Sequence, residues 1–158
     1  MGQDSGSVIA GIERMSIDAN KVWTNTGDGM FQGMEVLSAD HNGRTYALKF
    51  MILMTDGVPN RFPDSKCHKD DLWPYPHEPK DATIDKAKDC VIYYAQEAKA
   101  QNIAIFTVGL GLAAKQEEDL LSEVADITGG EYFYAQTAGE LEQKLQQIAD
   151  RIFLRLVD

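Results

Sequence analysis

The chain is short of the features that announce most function classes. No apolar run approaches the about 20 residues that a bilayer-spanning helix needs, so the sequence as written reads as soluble. Positive charge is scarce: 15 Lys+Arg stand against 25 Asp+Glu, a net −10 at pH 7. Such a surface repels phosphate backbones and disfavours a nucleic-acid partner, while it attracts cations. Met1–Ser7 is polar and glycine-rich rather than basic then apolar, so it does not read as a signal peptide; it is expected to be a flexible terminus. There is no Gly-x-Ser-x-Gly elbow and no P-loop, and Met54 stands where an Asp-x-Asp phosphatase centred on Asp56 would need its first carboxylate. A metal-dependent hydrolase is therefore the weakest reading, and the chain is expected not to be an enzyme. Repeats and low-complexity segments are absent, and 158 residues suit one domain.

Cysteine is scarce too. The two, Cys67 and Cys90, lie 90 − 67 = 23 positions apart. A bridge between them would add about 3 kcal/mol in the chain-entropy model and would imply an oxidising compartment. The alternatives are two unrelated thiols in a cytoplasmic protein, or a zinc site of Cys67, His68, His77 and Cys90. No Cys-x-x-Cys or His-x-x-x-His spacing supports zinc.

What is present is alternating order. Apolar residues at Val8, Ile9, Ile12, Met15 and Ile17 have helical spacing. Thr24–Met30, TNTGDGM, reads as a loop, and Met30, Met34 and Leu37 as a helix that ends at the turn-like Asp40–Gly43. Ala47–Thr55 is apolar without alternation, as in a parallel strand buried on both faces. Gly57–Lys80 is a long polar connection holding all five prolines, together with Trp73 and Tyr75. A helix over 81–101 follows, with a stripe of Ile84, Ala87, Val91, Ala95 and Ala98. Ile103–Val108 is a second strand, Gln116–Thr128 a helix stopped by Gly129-Gly130, and Glu131–Ala135 a third strand. Thr137 and Glu140 form a capping box that opens a last helix. Strands alternating with helices predict an α/β fold, a parallel sheet core flanked by helices.

The apolar run Ile52–Asn60, ILMTDGVPN, stops on a carboxylate. In an open parallel sheet, ligands sit beyond the carboxyl ends of the strands. Gly57 and Pro59 turn the chain there, which places Asp56 at that edge. A carboxylate in such a place needs a helix N-terminus, a basic side chain or a metal. Thr24, Thr26 and Asp28 offer hydroxyl and carboxylate oxygens of the kind Mg²⁺ prefers. Asp28 could equally cap the helix that follows it.

Four segments carry a resemblance: TNTGDGM (Thr24–Met30), MILMTDGVPN (Met51–Asn60), IAIFTVGLG (Ile103–Gly111) and LSEVADITGGEYFYAQTAGELEQKLQQIADRI (Leu121–Ile152). In this order and spacing they resemble the C-terminal part of a von Willebrand factor type A domain, over roughly Val8–Arg155. The resemblance implies a Rossmann-like three-layer fold lacking its first three strands. It further implies a metal-ion-dependent adhesion site, with Thr24 and Asp56 as ligands to Mg²⁺ (or Mn²⁺ or Ca²⁺) and Thr26, Asp28 and Gly57 around them. The family's Asp-x-Ser-x-Ser motif is not intact: around Ser5 and Ser7 the register puts Gln3 at the aspartate. Metal binding is accordingly expected to be weak.

The function implied is cell adhesion or another metal-dependent protein–protein interaction, in which a partner carboxylate completes the coordination. The alternative is an assembly subunit that acts through an open sheet edge, pairing with another chain or with a copy of itself. The ending FLRLVD and the Cys67 loop resemble Tad/Flp pilus-assembly-like bacterial proteins, which implies an extracytoplasmic or surface location.

Overall fold

The computed structural model describes residues 24–38, 47–61, 67 and 80–157. The helix expected over Val8–Ile17, the turn at Asp40–Gly43, His68, His77, Trp73 and Tyr75 lie outside the described residues, as does most of the Gly57–Lys80 loop.

The chain is α/β, with the order α1 (Thr26–Leu37), β1 (Lys49–Thr55), α2 (Lys80–Ala100), β2 (Ile103–Leu110), α3 (Gly111–Lys115), α4 (Glu118–Thr128), β3 (Tyr132–Ala135) and α5 (Ala138–Val157). The three strands form one parallel sheet in the order β1-β2-β3. β1 pairs with β2 along its whole length, from Lys49 opposite Ile103 to Thr55 opposite Gly109.

Two apolar clusters make three layers. On one face α1, α2 and α4 bring Met30, Met34, Val91, Tyr94, Ala95, Ala98, Leu120 and Val124 onto Ile103 and Ile105, with Met51 and Leu53 of β1 packed alongside. On the other face α5 brings Ile148, Leu141, Leu145 and Ile152 onto Phe106, Val108 and Phe133. β2 is central and buried on both faces, as its largely apolar sequence requires, and the hydroxyl of its buried Thr107 is satisfied by donating to Leu121 O at 2.8 Å.

The end of α4 fixes the register of β3. Gly129 adopts the left-handed conformation (φ 74°), and Gly130 N–H donates to Ala125 O at 2.8 Å. Thr128 Oγ1 accepts from Ile105 N–H at 3.0 Å, tying the helix end to β2. At the start of α5, Glu140 N–H donates to Thr137 Oγ1 at 3.2 Å. The Glu140 carboxylate reaches back one residue further than expected and accepts from Gln136 N–H at 2.7 Å.

Two expectations are corrected. β1 begins at Lys49 rather than Ala47 and is not buried on both faces: Ile52 is 42% and Met54 49% exposed, so Met54 is not a core residue. The reason is reach: the α5 cluster covers the β2 and β3 side and includes only Phe50 from β1. TNTGDGM is not a loop before a helix, because α1 already starts at Thr26. The helix expected over Gln116–Thr128 is present as α4, from Glu118 to Thr128, and a short helix not expected from sequence, α3, precedes it after Gly111 turns the chain at φ 71°.

Candidate functional site

The carboxyl end of β1 and the N-terminus of α1 meet at one place. Thr55 Oγ1 accepts from Gly57 N–H at 3.3 Å and donates to Gly57 O at 3.0 Å, a hydroxyl-closed turn that leaves Asp56 exposed at its tip. Four residues on, Asn60 fastens this turn to the other segment. Thr24 N–H donates to Asn60 Oδ1 at 2.8 Å, and Asn60 N–H returns a bond to Thr24 O at 3.0 Å. Arg61 N–H also reaches Thr24 O, at 3.3 Å. The Thr24 hydroxyl oxygen lies 3.5 Å from where a Cβ on Gly57 would stand, which places the hydroxyl against the turn.

α1 then begins under local control. Asn25 Oδ1 accepts from Asp28 N–H at 3.2 Å, so Asn25 is the cap and Asp28 sits in the first turn, where the helix dipole favours a negative charge. The expectation that Asp28 caps the helix is corrected accordingly. Below it, Gly27 packs on α2: a Cβ there would stand 3.2 Å from Cys90 Sγ and 3.6 Å from Tyr94 Cδ2. Two buried hydroxyls here, Thr26 Oγ1 and Tyr94 Oη, have no hydrogen-bond partner among the described residues. Burial first, then the charges of Tyr93, Asp28 and Glu97, pushes the Tyr94 hydroxyl above its ordinary pKa.

Cys67 and Cys90 form a disulfide with a Cα–Cα separation of 5.5 Å. It ties the connection that follows Asp56 to α2, directly beneath Gly27. Neither cysteine is a free thiol or a zinc thiolate. Bonds of this kind persist in oxidising compartments, which favours a location outside the reducing cytoplasm. Among the described residues no helix is long and apolar enough to cross a membrane.

The structure thus brings together Thr24, Asp56 and Gly57, and it sets Thr26 and Asp28 on the adjoining first turn of α1. Three residues that organise the site were not singled out from sequence: Thr55, Asn25 and Asn60. Asn25 had a legible signal, an asparagine three residues before an aspartate. The Asn60–Thr24 clamp spans 36 positions and has none.

The fit to a metal ion can be judged from donor chemistry. The oxygens are hard and suit Mg²⁺, which keeps several waters and takes few protein ligands. Among the described residues, however, no group of three or more His, Cys, Asp or Glu is placed to hold a metal. The set fits a cation held weakly, with waters and an outside carboxylate making up the coordination.

A second polar concentration, in the groove between α2 and the α3–α4 turn, is structural. Its buried Glu117 is held by Lys88 at 2.9 Å.

No protein-family model matches the chain. No curated protein matches it either. Among solved structures, the chain is similar to one described as an uncharacterized membrane spanning protein from Vibrio fischeri, at 23% identity and a TM-score of 0.44. The match covers 93% of this chain and 66% of that one, so the chain spans just under two thirds of that protein's length.

Proposed function

We propose that the chain is a protein-binding module of the von Willebrand factor type A kind, acting outside the cytoplasm, with its binding surface at the carboxyl end of β1. Thr24 and Asp56 would hold a divalent cation (Mg²⁺, Mn²⁺ or Ca²⁺). When bound, the ion would supply a positive centre for a carboxylate on a partner protein. Asn60 positions the Thr24 segment, the Thr55 hydroxyl shapes the Asp56 turn, and Asp28 adds negative charge beside them.

The observation that carries the reading is the Asn60 clamp, because it fastens the Thr24 segment to the turn whose exposed tip is Asp56. The unpartnered hydroxyl of Thr26 adds to it, since a buried polar atom without a partner calls for an explanation. The reading is one of binding rather than catalysis: Asp56 has a methionine, not a carboxylate, two positions before it.

Calorimetric titration with Mn²⁺ and Mg²⁺, on the native chain and on Asp56→Ala, tests the proposal. Weak binding that disappears in the variant is the expected result. Absence of binding to the native chain would overturn the cation site.

A further inference from the structure

We infer that the Cys67–Cys90 disulfide is the clasp of the candidate site: oxidation of this pair holds Thr24 against the Asp56 turn, so the site is assembled by the compartment in which the chain folds. Beyond its own helix, the stretch Thr24–Gly27 has two attachments. Above, Thr24 N–H donates to Asn60 Oδ1 at 2.8 Å, and Thr24 O accepts from the N–H groups of Asn60 and Arg61 at 3.0 and 3.3 Å. Below, Gly27 lies on α2, where a Cβ would stand 3.2 Å from Cys90 Sγ.

Both attachments lead to the same bond. Cys67 follows Arg61 by 67 − 61 = 6 positions, at most about 20 Å of chain, and its partner Cys90 is the floor beneath Gly27. The bridge closes a circuit in space, from Thr24 down to Gly27, across to Cys90 and Cys67, and back along the chain to Arg61 and Asn60.

The upper attachment is weak by itself. Thr24 and Asn60 are half-buried and Arg61 is exposed, so water competes for these bonds and each contributes little net. A tether that keeps Asn60 and Arg61 near Thr24 raises their effective concentration there and turns weak bonds into a held contact. The rest of the fold has independent support. β1 pairs with β2 from Lys49 to Thr55, and Val91, Tyr94, Ala95 and Ala98 root α2 in the core. Loss of the bridge is therefore felt at the site first.

Forming the bridge takes two electrons and two protons from the two thiols. A small-molecule or protein disulfide accepts them by exchange and leaves as two thiols. Cys67 and Cys90 are 9% and 1% exposed, so a reductant reaches the bond only when the fold opens. The clasp is set once, at folding. Its consequence for cation binding rests on the function proposed above; the clasp itself does not.

Amide hydrogen exchange on the full chain, read by NMR, tests this. Cys67→Ser removes the bridge and leaves Cys90 in place under Gly27. Its Thr24 and Asn60 N–H groups should exchange about tenfold faster than in the native chain or more, while those of Ile105 and Thr107 in β2 keep their protection. Native chain refolded in excess dithiothreitol should behave like the variant and recover when oxidised glutathione is added. Unchanged protection of Thr24 and Asn60 overturns the inference. So does an equal loss at Ile105 and Thr107, or loss of the circular dichroism spectrum, since the bridge would then serve the whole fold.

Calorimetry with Mn²⁺ separates the two readings. Affinity should fall in Cys67→Ser by a factor comparable to the rise in exchange, and equal affinity in the two chains overturns the clasp. A native chain that binds no Mn²⁺ ends the cation site, and the exchange rates alone then decide the clasp.

Discussion

Adding one methyl group to Gly130 should cost far more than adding one to its neighbour Gly129. The two sit side by side at the end of α4 but differ in kind. At Gly129 the difficulty is conformational: φ is 74°, and a Cβ there would meet nothing within 4 Å. Left-handed backbone costs an ordinary residue roughly 1–2 kcal/mol, partly offset by a stiffer unfolded chain. At Gly130 the difficulty is contact. A Cβ would stand 1.8 Å from Ile105 O and 2.5 Å from Ile105 C, both main-chain atoms of the central strand. Carbon and oxygen need about 3.4 Å, so the connection into β3 would have to retreat by about 1.5 Å.

A retreat of that size breaks the bond from Thr107 N–H to Glu131 O (3.1 Å) and strains the one from Ile105 N–H to Thr128 Oγ1 (3.0 Å). Each is worth about 1 kcal/mol, and leaving a buried N–H unpaired adds about 1–3 kcal/mol. The total for Gly130→Ala is about 3–5 kcal/mol, a large part of the roughly 5–15 kcal/mol that holds a domain together. Urea unfolding of the native chain and the two variants, followed by circular dichroism, measures both. If Gly130→Ala is no less stable than Gly129→Ala, the close approach of α4's end to β2 is wrong.

Two further outcomes follow from the unpartnered hydroxyls. Thr26→Val exchanges a buried hydroxyl without a partner among the described residues for a methyl group, so urea unfolding should show it about 0.5–1 kcal/mol more stable than the native chain. Loss of stability instead would mean that the hydroxyl is already bonded. Tyr94 and Tyr132 are both pushed above the ordinary value of 10.0, in each case by burial first. A raised folded-state pKa means that the stabilisation is complete below 10.0 and is lost as pH rises through the folded value. The urea midpoint should fall in that alkaline range, and Tyr94→Phe should reduce the fall. A midpoint indifferent to alkali would contradict the burial of these hydroxyls.

What the sequence made legible was set by contiguity. Ile103–Val108 reads as a buried strand because five of its six positions are apolar, and both clusters draw on it. Thr128-Gly129-Gly130 reads as a helix stop because left-handed backbone selects glycine. The start of α1 was not legible. Thr-Asn-Thr-Gly-Asp-Gly has the composition of a loop, yet the second of those threonines opens a helix. There Asn25 caps from outside, and Gly27 lets the helix lie against the disulfide, a demand that comes from Cys90 across the fold. The clamp between Thr24 and Asn60 was out of reach for the same reason, since it depends on how two distant segments pack. The pairing of Cys67 with Cys90 was one of three readings that spacing left open, and only their approach in space selects it.

β1 is the instructive mismatch. Its apolar run predicts burial on both faces, whereas Ile52 and Met54 stand exposed and, among the described residues, only Phe50 of that face joins the α5 cluster. The prediction concerned what these side chains require of their surroundings, which is a property of composition. Coverage is a property of what packs on them, and α5 is committed to β2 and β3.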